Sequence, residues 1–295
     1  MRSDLRAVDE LLLQLCSPFH AERSKLDAAI ASHMGAGGGR LRAAICLDAA
    51  LRLGVEESVA VRLAAICELL HNASLIQDDM LDRSTTRRGS PSVWYQYSDT
   101  VAVCAGDLML SAAYAAASGL SDDSSRSAVS QLIHNRVCEV IRGQVQEQEA
   151  LHYDESVEAE YEIRARGKSA SLLSLSLELP LLYVGRTDCL SSASALVTDF
   201  ATAYQIADDL VDVEADASEG LLHIVLVIER AMNLCRESAR DRAAKRGLAL
   251  LGLAVRCAGQ LPSNCADLLI NHAMKLQVAM EMHLIENYCW NTLDG

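Results

Sequence analysis

Aromatic residues make up only 4% of this 295-residue chain, with two phenylalanines and two tryptophans, and proline occurs four times. So few prolines leave little to interrupt helices, and the Ala- and Leu-rich composition suits them. The expectation is one all-helical body, a single domain over residues 1–295, with a core drawn from the 51% of residues that are apolar. Positive charge is scarce: the formal net charge is −14, which argues against a nucleic-acid surface and offers no basic patch to anionic lipid. The ten cysteines show no CxxC or other zinc spacing and read as small buried apolar residues of a reducing compartment. A secretion signal is not read in MRSDLRAVDELLLQLC, where charges break up the apolar positions and only Leu11 to Leu15 runs together. That pattern is an amphipathic helix. No stretch is read as reaching the roughly 18 to 20 apolar residues of a membrane span. These absences together point to a cytoplasmic protein.

What is present is concentrated in Leu69 to Pro91, LLHNASLIQDDMLDRSTTRRGSP. An apolar helical run leads into Asp78, Asp79 and Asp82, then into a polar loop with Arg87 and Arg88. At about 100° per residue, Asp78 and Asp82 lie roughly 40° apart on one helix face. Two carboxylates on one face suit a hard cation such as Mg²⁺, which keeps waters and is completed by substrate phosphates. A solvated acidic helix end is the plainer reading of a single such match.

A second match follows some 130 residues on, where Phe200 to Asp212 reads FATAYQIADDLVD. Here Asp208, Asp209 and Asp212 end another apolar helix, and Gln205 shares the face of Asp208 three residues before it. Two such helix ends, facing one another, would line a central cleft with carboxylates on both walls. Metal ions would be needed there, and they would hold a diphosphate.

These residues carry a resemblance to the trans-isoprenyl diphosphate synthases, the family of farnesyl, geranylgeranyl and longer polyprenyl diphosphate synthases. The shared features are both aspartate motifs, Arg87-Arg88-Gly89, Gly106-Asp107, Gly143-Gln144, Lys168-Ser169 and Gln205, over about Gly35 to Glu214. The resemblance implies an all-α, single-domain bundle of the isoprenoid synthase type and a Mg²⁺-dependent prenyltransferase. It would condense an allylic prenyl diphosphate with isopentenyl diphosphate and act as a homodimer. It implies metal ligands among Asp78, Asp79, Asp82, Asp208, Asp209 and Asp212. Arg87, Lys168, Ser169 and Gln205 would hold the allylic diphosphate, and Arg40, Arg42, His71 and Arg88 the isopentenyl diphosphate. Asp78, Asp82, Asp208 and Lys168 would be catalytic. Small residues at Ala73 and Ser74, one turn before the first aspartates, imply a product of about C20 or longer.

Other features stand beside that resemblance. The turn MGAGGGRLRAA stops one helix and exposes the N-terminus of the next at Arg40, a ready anion site, or else a flexible corner. Where the family has a lysine, this turn has Gly39. His71 lies two turns before Asp78, a position that also suits a satisfied core histidine. Leu151 to Glu162 reads as a solvated acidic helix face. After the second motif the segment Val213 to Leu222 is short, and neither lysine nor arginine occurs between Arg186 and Arg230. The C-terminal helices, read at about 223–245, 248–258 and 264–288, offer packing only. Two other readings remain open. One is a class I terpene synthase or nonstandard coupling enzyme, favoured by Gly39 and opposed by the scarcity of aromatics that steady carbocations. The other is a modulating subunit, opposed by two intact aspartate motifs.

Overall fold

The structure, a computed structural model, describes residues 2–17, 24–147, 157–165, 170–211 and 223–282. It is all-α: thirteen α-helices among the described residues, with one two-stranded ladder of two residues each. The described residues divide into two compact units, those within 1–134 and 179–186, and those within 135–178 and 187–282.

The first unit holds α1 (Arg2–Cys16), α2 (Lys25–Gly35), α3 (Leu41–Arg52), α4 (Glu57–Leu81), β1 (Thr86–Arg87) antiparallel to β2 (Ser90–Pro91), α5 (Val93–Gln96) and α6 (Asp99–Ser118). It also takes the start of α7 (Asp123–Glu147). Helix α2 begins in a reciprocal capping box, with Ser24 Oγ accepting from the Asp27 amide at 3.2 Å and Asp27 Oδ2 accepting from the Ser24 amide at 2.9 Å. It stops at Gly37 and Gly38, whose φ values of 96° and 136° few other residues adopt. Helix α4 starts behind Glu56, whose side chain accepts from the Ser58 amide, and ends where Arg83 turns left-handed at φ 57°.

Every residue of α4 from Leu63 to Ala73 is buried. Burial of each large apolar side chain among them is worth roughly 1.5–3 kcal/mol. Opposite it α6 presents Ala102, Ala105, Gly106, Met109, Ala112, Ala113, Ala116 and Ala117, a stripe of mostly small residues at helical spacing that lets the axes approach. At Gly106 a Cβ would meet the Gln77 side chain at 3.2 Å, so the helices pack tightly beside Asp78. A larger residue there would overpack the contact at a cost of about 1–3 kcal/mol. The expectation that no stretch matches a membrane span is corrected: α4 and α6 are both long and apolar enough by composition. For α4, 83% of that stretch is buried inside the protein, as a core helix requires.

The second unit holds the rest of α7, then α8 (Val157–Ala165), most of α9 (Ser171–Tyr183), α10 (Leu190–Val211), α11 (Ile224–Met232), α12 (Arg236–Ala258) and α13 (Asp267–Glu281). Leu196, Val197, Phe200, Ala203, Ile206 and Ala207 bury one side of α10. On α12, a Cβ at Gly247 would lie 2.6 Å from Met280 Cε and 3.3 Å from Ile206 Cγ2, so α10, α12 and α13 converge there.

Two expectations change. The acidic stretch is not wholly solvated, because in α8 Tyr161 and Glu162 are buried and Glu162 pairs with Arg246 of α12. The helix expected over 223–245 is two helices, parted where Asn233 caps α11 in a left-handed conformation (φ 51°) and Cys235 begins α12. In the same unit, Arg136 of α7 donates from Nε to Glu178 of α9 at 2.9 Å and from Nη1 to Glu139 at 2.7 Å.

Candidate active site

The site residues fall into two groups, each within one unit. In the first, Asp78 and Asp82 occupy the last turn of α4, Asp78 half-buried and Asp82 exposed. Asp79 turns inward and is 1% exposed. Arg87, on β1, donates from Nε and Nη2 to Asp79 Oδ1 at 2.9 and 2.6 Å, and its Nη2 lies 3.9 Å from Asp78 Oδ2. Burial pushes the Asp79 carboxyl above its ordinary value, with Arg87 opposing it. Its Oδ2 has no hydrogen-bond partner among the described residues.

Beneath the glycine turn, Arg42 and His71 are both buried and meet at 3.0 Å between Nη1 and Nε2. Burial, with Arg42 and Arg88 beside it, holds the His71 imidazole far below its usual range. It is therefore neutral, and its Nε2 accepts a hydrogen bond from Arg42 Nη1. Arg88 donates Nη1 to the Gly37 carbonyl, and a Cβ at Gly38 would lie 2.8 Å from that same nitrogen. Burial and the neighbouring Arg40 lower the Arg88 guanidinium.

Arg40, at φ 48°, donates Nε to Asp9 Oδ1 of α1 at 2.9 Å and Nη2 to the Met34 carbonyl at 3.3 Å, with Glu68 Oε2 at 3.7 Å from Nη1. The start of α3 is not the open amide array expected: Glu68 Oε1 already accepts from the Ala43 amide at 3.1 Å. Below lies a polar chain, with His33 Nε2 at 3.1 Å from Asn72 Oδ1 and Asn72 Nδ2 donating to the Glu68 carbonyl at 2.7 Å. Burial, then Arg88, lowers His33 to about 4. Ala73 is buried and Ser74 half-buried, its hydroxyl donating to the His71 carbonyl at 2.8 Å.

In the second group, Asp208 is half-buried on the last turn of α10, and Asp209 is 3% exposed. Asp209 Oδ2 accepts from Tyr161 Oη at 2.8 Å and from the Ile224 amide at 2.7 Å, and Oδ1 accepts from Gln205 Nε2 at 3.1 Å. Burial raises the Asp209 carboxyl against these donors, and burial with the neighbouring Asp209 charge raises the Tyr161 phenol. Lys168, Ser169, Asp212 and the segment Val213 to Leu222 lie outside the described residues. Among those described, no three His, Cys, Asp or Glu side chains already form a metal-ligand group.

His33, Glu68, Asn72, Asp9 and Tyr161 escaped the sequence reading. Glu68, Asn72 and His71 form a polar streak in an otherwise apolar run, a usable signal. Nothing in the spacing of Asp9, His33 or Tyr161 marks them.

The fold is all-α, with α4 and α10 each ending in paired carboxylates and arginines following the first of them, and the isoprenoid synthases are likewise all-α. The sequence profile of the polyprenyl synthetase family matches residues 23–220, more than half of the chain, and the chain belongs to that family. It is 32% identical over 183 residues, 62% of this chain and 55% of the relative, to an all-trans-nonaprenyl-diphosphate synthase (geranyl-diphosphate specific) of Rhodobacter capsulatus. It is 33% identical over 178 residues, 60% of this chain and 49% of the relative, to a (2E,6E)-farnesyl diphosphate synthase of Mycobacterium tuberculosis. The chain thus spans about half the length of these relatives. By their names they are prenyltransferases. A solved geranylgeranyl pyrophosphate synthetase of Geoglobus acetivorans shares the fold, with a TM-score of 0.81 at 23% identity over 94% of this chain and 99% of that one.

Proposed function

We propose that the protein is a Mg²⁺-dependent trans-polyprenyl diphosphate synthase, joining an allylic prenyl diphosphate to isopentenyl diphosphate. The observation that carries this reading is the array in the first unit: Asp78 and Asp82 at the end of α4, Arg87 and Arg88 directly after, and the buried Arg42–His71 pair. Asp78 and Asp82 offer only hard oxygen donors near solvent, which fits Mg²⁺ completed by substrate phosphates, and Asp208 of the second unit offers the same kind of donor. When bound, the ion offsets the charge that gathers on a departing diphosphate.

In this reading Arg87, Lys168, Ser169 and Gln205 hold the allylic diphosphate while its carbon–oxygen bond breaks to an allylic cation. Arg40, Arg42, His71 and Arg88 orient isopentenyl diphosphate, whose double bond attacks that cation. The proton then lost passes to the departing pyrophosphate. No protein nucleophile or base is required. The homodimer rests on the family resemblance, and the cytoplasmic location on the composition and cysteine pattern of the sequence. Sedimentation of the purified protein at twice the chain mass of 31.9 kDa is the result expected of the dimer.

The relatives make products of different length at nearly equal identity, so length is argued from this chain. Ala73 and Ser74 are small, which supports a cavity open to products of about C20 or longer. Ser74→Phe should shorten the product by at least one five-carbon unit, read by mass spectrometry. Ser74 is the better position because Ala73 is already buried and a ring there would overpack α4. An unchanged product length would reject this account.

The deciding experiment for the activity is product analysis by mass spectrometry with Mg²⁺ and C5 to C20 allylic diphosphates, with and without isopentenyl diphosphate. Products longer by whole five-carbon units, formed only with isopentenyl diphosphate, are expected. Gly39 and the lack of cations from Thr187 to Glu229 favour the second reading, a terpene synthase. Hydrocarbon or alcohol formed without isopentenyl diphosphate would establish that one instead.

A further inference from the structure

Helix α8 contributes none of the residues assigned to substrate, yet its Tyr161 is 1% exposed and reaches the second aspartate motif. The oxygen of Asp209 that accepts the Tyr161 hydroxyl also accepts the first amide of α11, while the other oxygen takes Gln205 from the same helix. One residue on, the Leu210 carbonyl accepts from Arg240 Nη2 of α12 at 2.7 Å. Beside Tyr161, Glu162 ties α8 to Arg246 of α12. The last turn of α10 is therefore held from α8, α11 and α12 at once.

A carboxylate buried to this degree and serving three donors has little left for a metal unless those bonds break. Asp208, rotated about 100° from it, is half-buried and stands on the motif's more accessible side. We propose that Tyr161 and Asp209 form a clamp that fixes the last turn of α10 and so orients Asp208, Tyr161 being a positioning residue and Asp209 a structural tie rather than a metal ligand. The clamp brackets residues 212–222 by joining the end of α10 to the start of α11. A phenylalanine at 161 would fill the same space and lose only the donor, so the effect of the hydroxyl can be read separately. The proposal rests on the synthase reading only for what Asp208 binds.

The test uses full-length protein and calorimetric titration of inorganic pyrophosphate in Mg²⁺, with amide hydrogen exchange at Ile224. Tyr161→Phe should weaken pyrophosphate binding about tenfold, the low end for groups that orient a metal ligand, and speed exchange at Ile224. Affinity for isopentenyl diphosphate should stay within twofold. A lower Tm with unchanged pyrophosphate affinity would make Tyr161 merely structural and overturn the proposal. Asp209→Asn keeps one acceptor oxygen and should also weaken binding about tenfold, whereas Asp208→Asn should abolish it. Equal, complete loss in both would make Asp209 a ligand and overturn the clamp, and this comparison stands even if Tyr161→Phe fails to fold. Failure of the wild-type protein to bind magnesium pyrophosphate at all would overturn the synthase reading and the clamp's bearing on Asp208. Exchange at Ile224 would then still report whether the contact itself forms.

Discussion

The two aspartate motifs are alike in sequence and solve the same local problem differently. Each buries its middle carboxylate. Asp79 is met by a cation, Arg87, two turns of chain away, whereas Asp209 is met by a phenol, a backbone amide and a carboxamide. The first motif has Arg87 bonded to it and Arg88 close by, while from Thr187 to Glu229 along the second there is no lysine or arginine. An ion pair inside a protein is costly to desolvate and worse to break, while neutral donors restrain a carboxylate without cancelling its charge. The first motif is thus equipped to hold anions with protein groups. The second has fewer protein cations in its own stretch of chain, so an added cation such as Mg²⁺ carries more of the work of attracting a phosphate there in this reading.

The sharpest break between the motifs comes from their accessible aspartates. Asp78→Asn and Asp208→Asn should each lower turnover by about 100- to 1,000-fold, the loss typical of removing one electrostatic contact to the reacting groups. Steady-state rates with saturating substrates check this, and a variant within tenfold of wild type would remove that residue from the metal site. Stability separates the middle aspartates. Arg87→Ala strands the Asp79 carboxylate and should cost about 3 kcal/mol in urea unfolding, with protonation of Asp79, whose pKa already lies above the ordinary value, limiting the damage. Adding Asp79→Ala should restore part of that loss. At Asp209 the arginine's place is taken by neutral donors, with the buried His223 nearby as a weaker electrostatic partner.

The histidine layer of the first unit gives a pH-dependent difference. His33 titrates at about 4 in the folded protein because burial and Arg88 disfavour its cation, against about 6.5 when unfolded. Below pH 6.5 the unfolded chain takes up a proton that the folded one refuses. Stability is therefore lost as pH falls from 6.5 toward 4, by up to about 3 kcal/mol from this residue. His71, also held low, adds to the same slope. Melts of His33→Gln should show a shallower acid loss than wild type across that window. An identical slope would mean that His33 is free to protonate in the fold.

How much of this was legible beforehand follows from where each signal lies along the chain. Helices α4 and α10, their aspartates and the following arginines are local patterns of period 3.6, and periodicity exposes them directly. The break at Asn233 is a capping effect inside a continuous helical pattern, which periodicity smooths over. Burial of Tyr161 and Glu162 was hidden because partners on α10 and α12 lie 48 and 84 residues away in the chain. The same holds for Asp9, which meets Arg40 across 31 residues. Composition correctly made α8 acidic, but only its partner Arg246 decides which acid is solvated.

The smallest expected effect bears on the comparison most directly, since it asks whether the cation-rich motif lacks one cation. Gly37 and Gly38 carry the positive φ values of the turn and Gly39 does not, so a lysine at 39 requires no left-handed backbone. The position is also exposed, which gives the side chain room. Gly39→Lys should therefore fold normally, with a slight loss of stability from repulsion by the neighbouring arginines. A charge-assisted contact to phosphate is worth about 1.5 kcal/mol, so the KM for isopentenyl diphosphate should fall about tenfold with kcat little changed. An unchanged KM would mean that Arg42, His71 and Arg88 already saturate the diphosphate, and that the lysine was dispensable because the arginines beneath the turn had taken over its role.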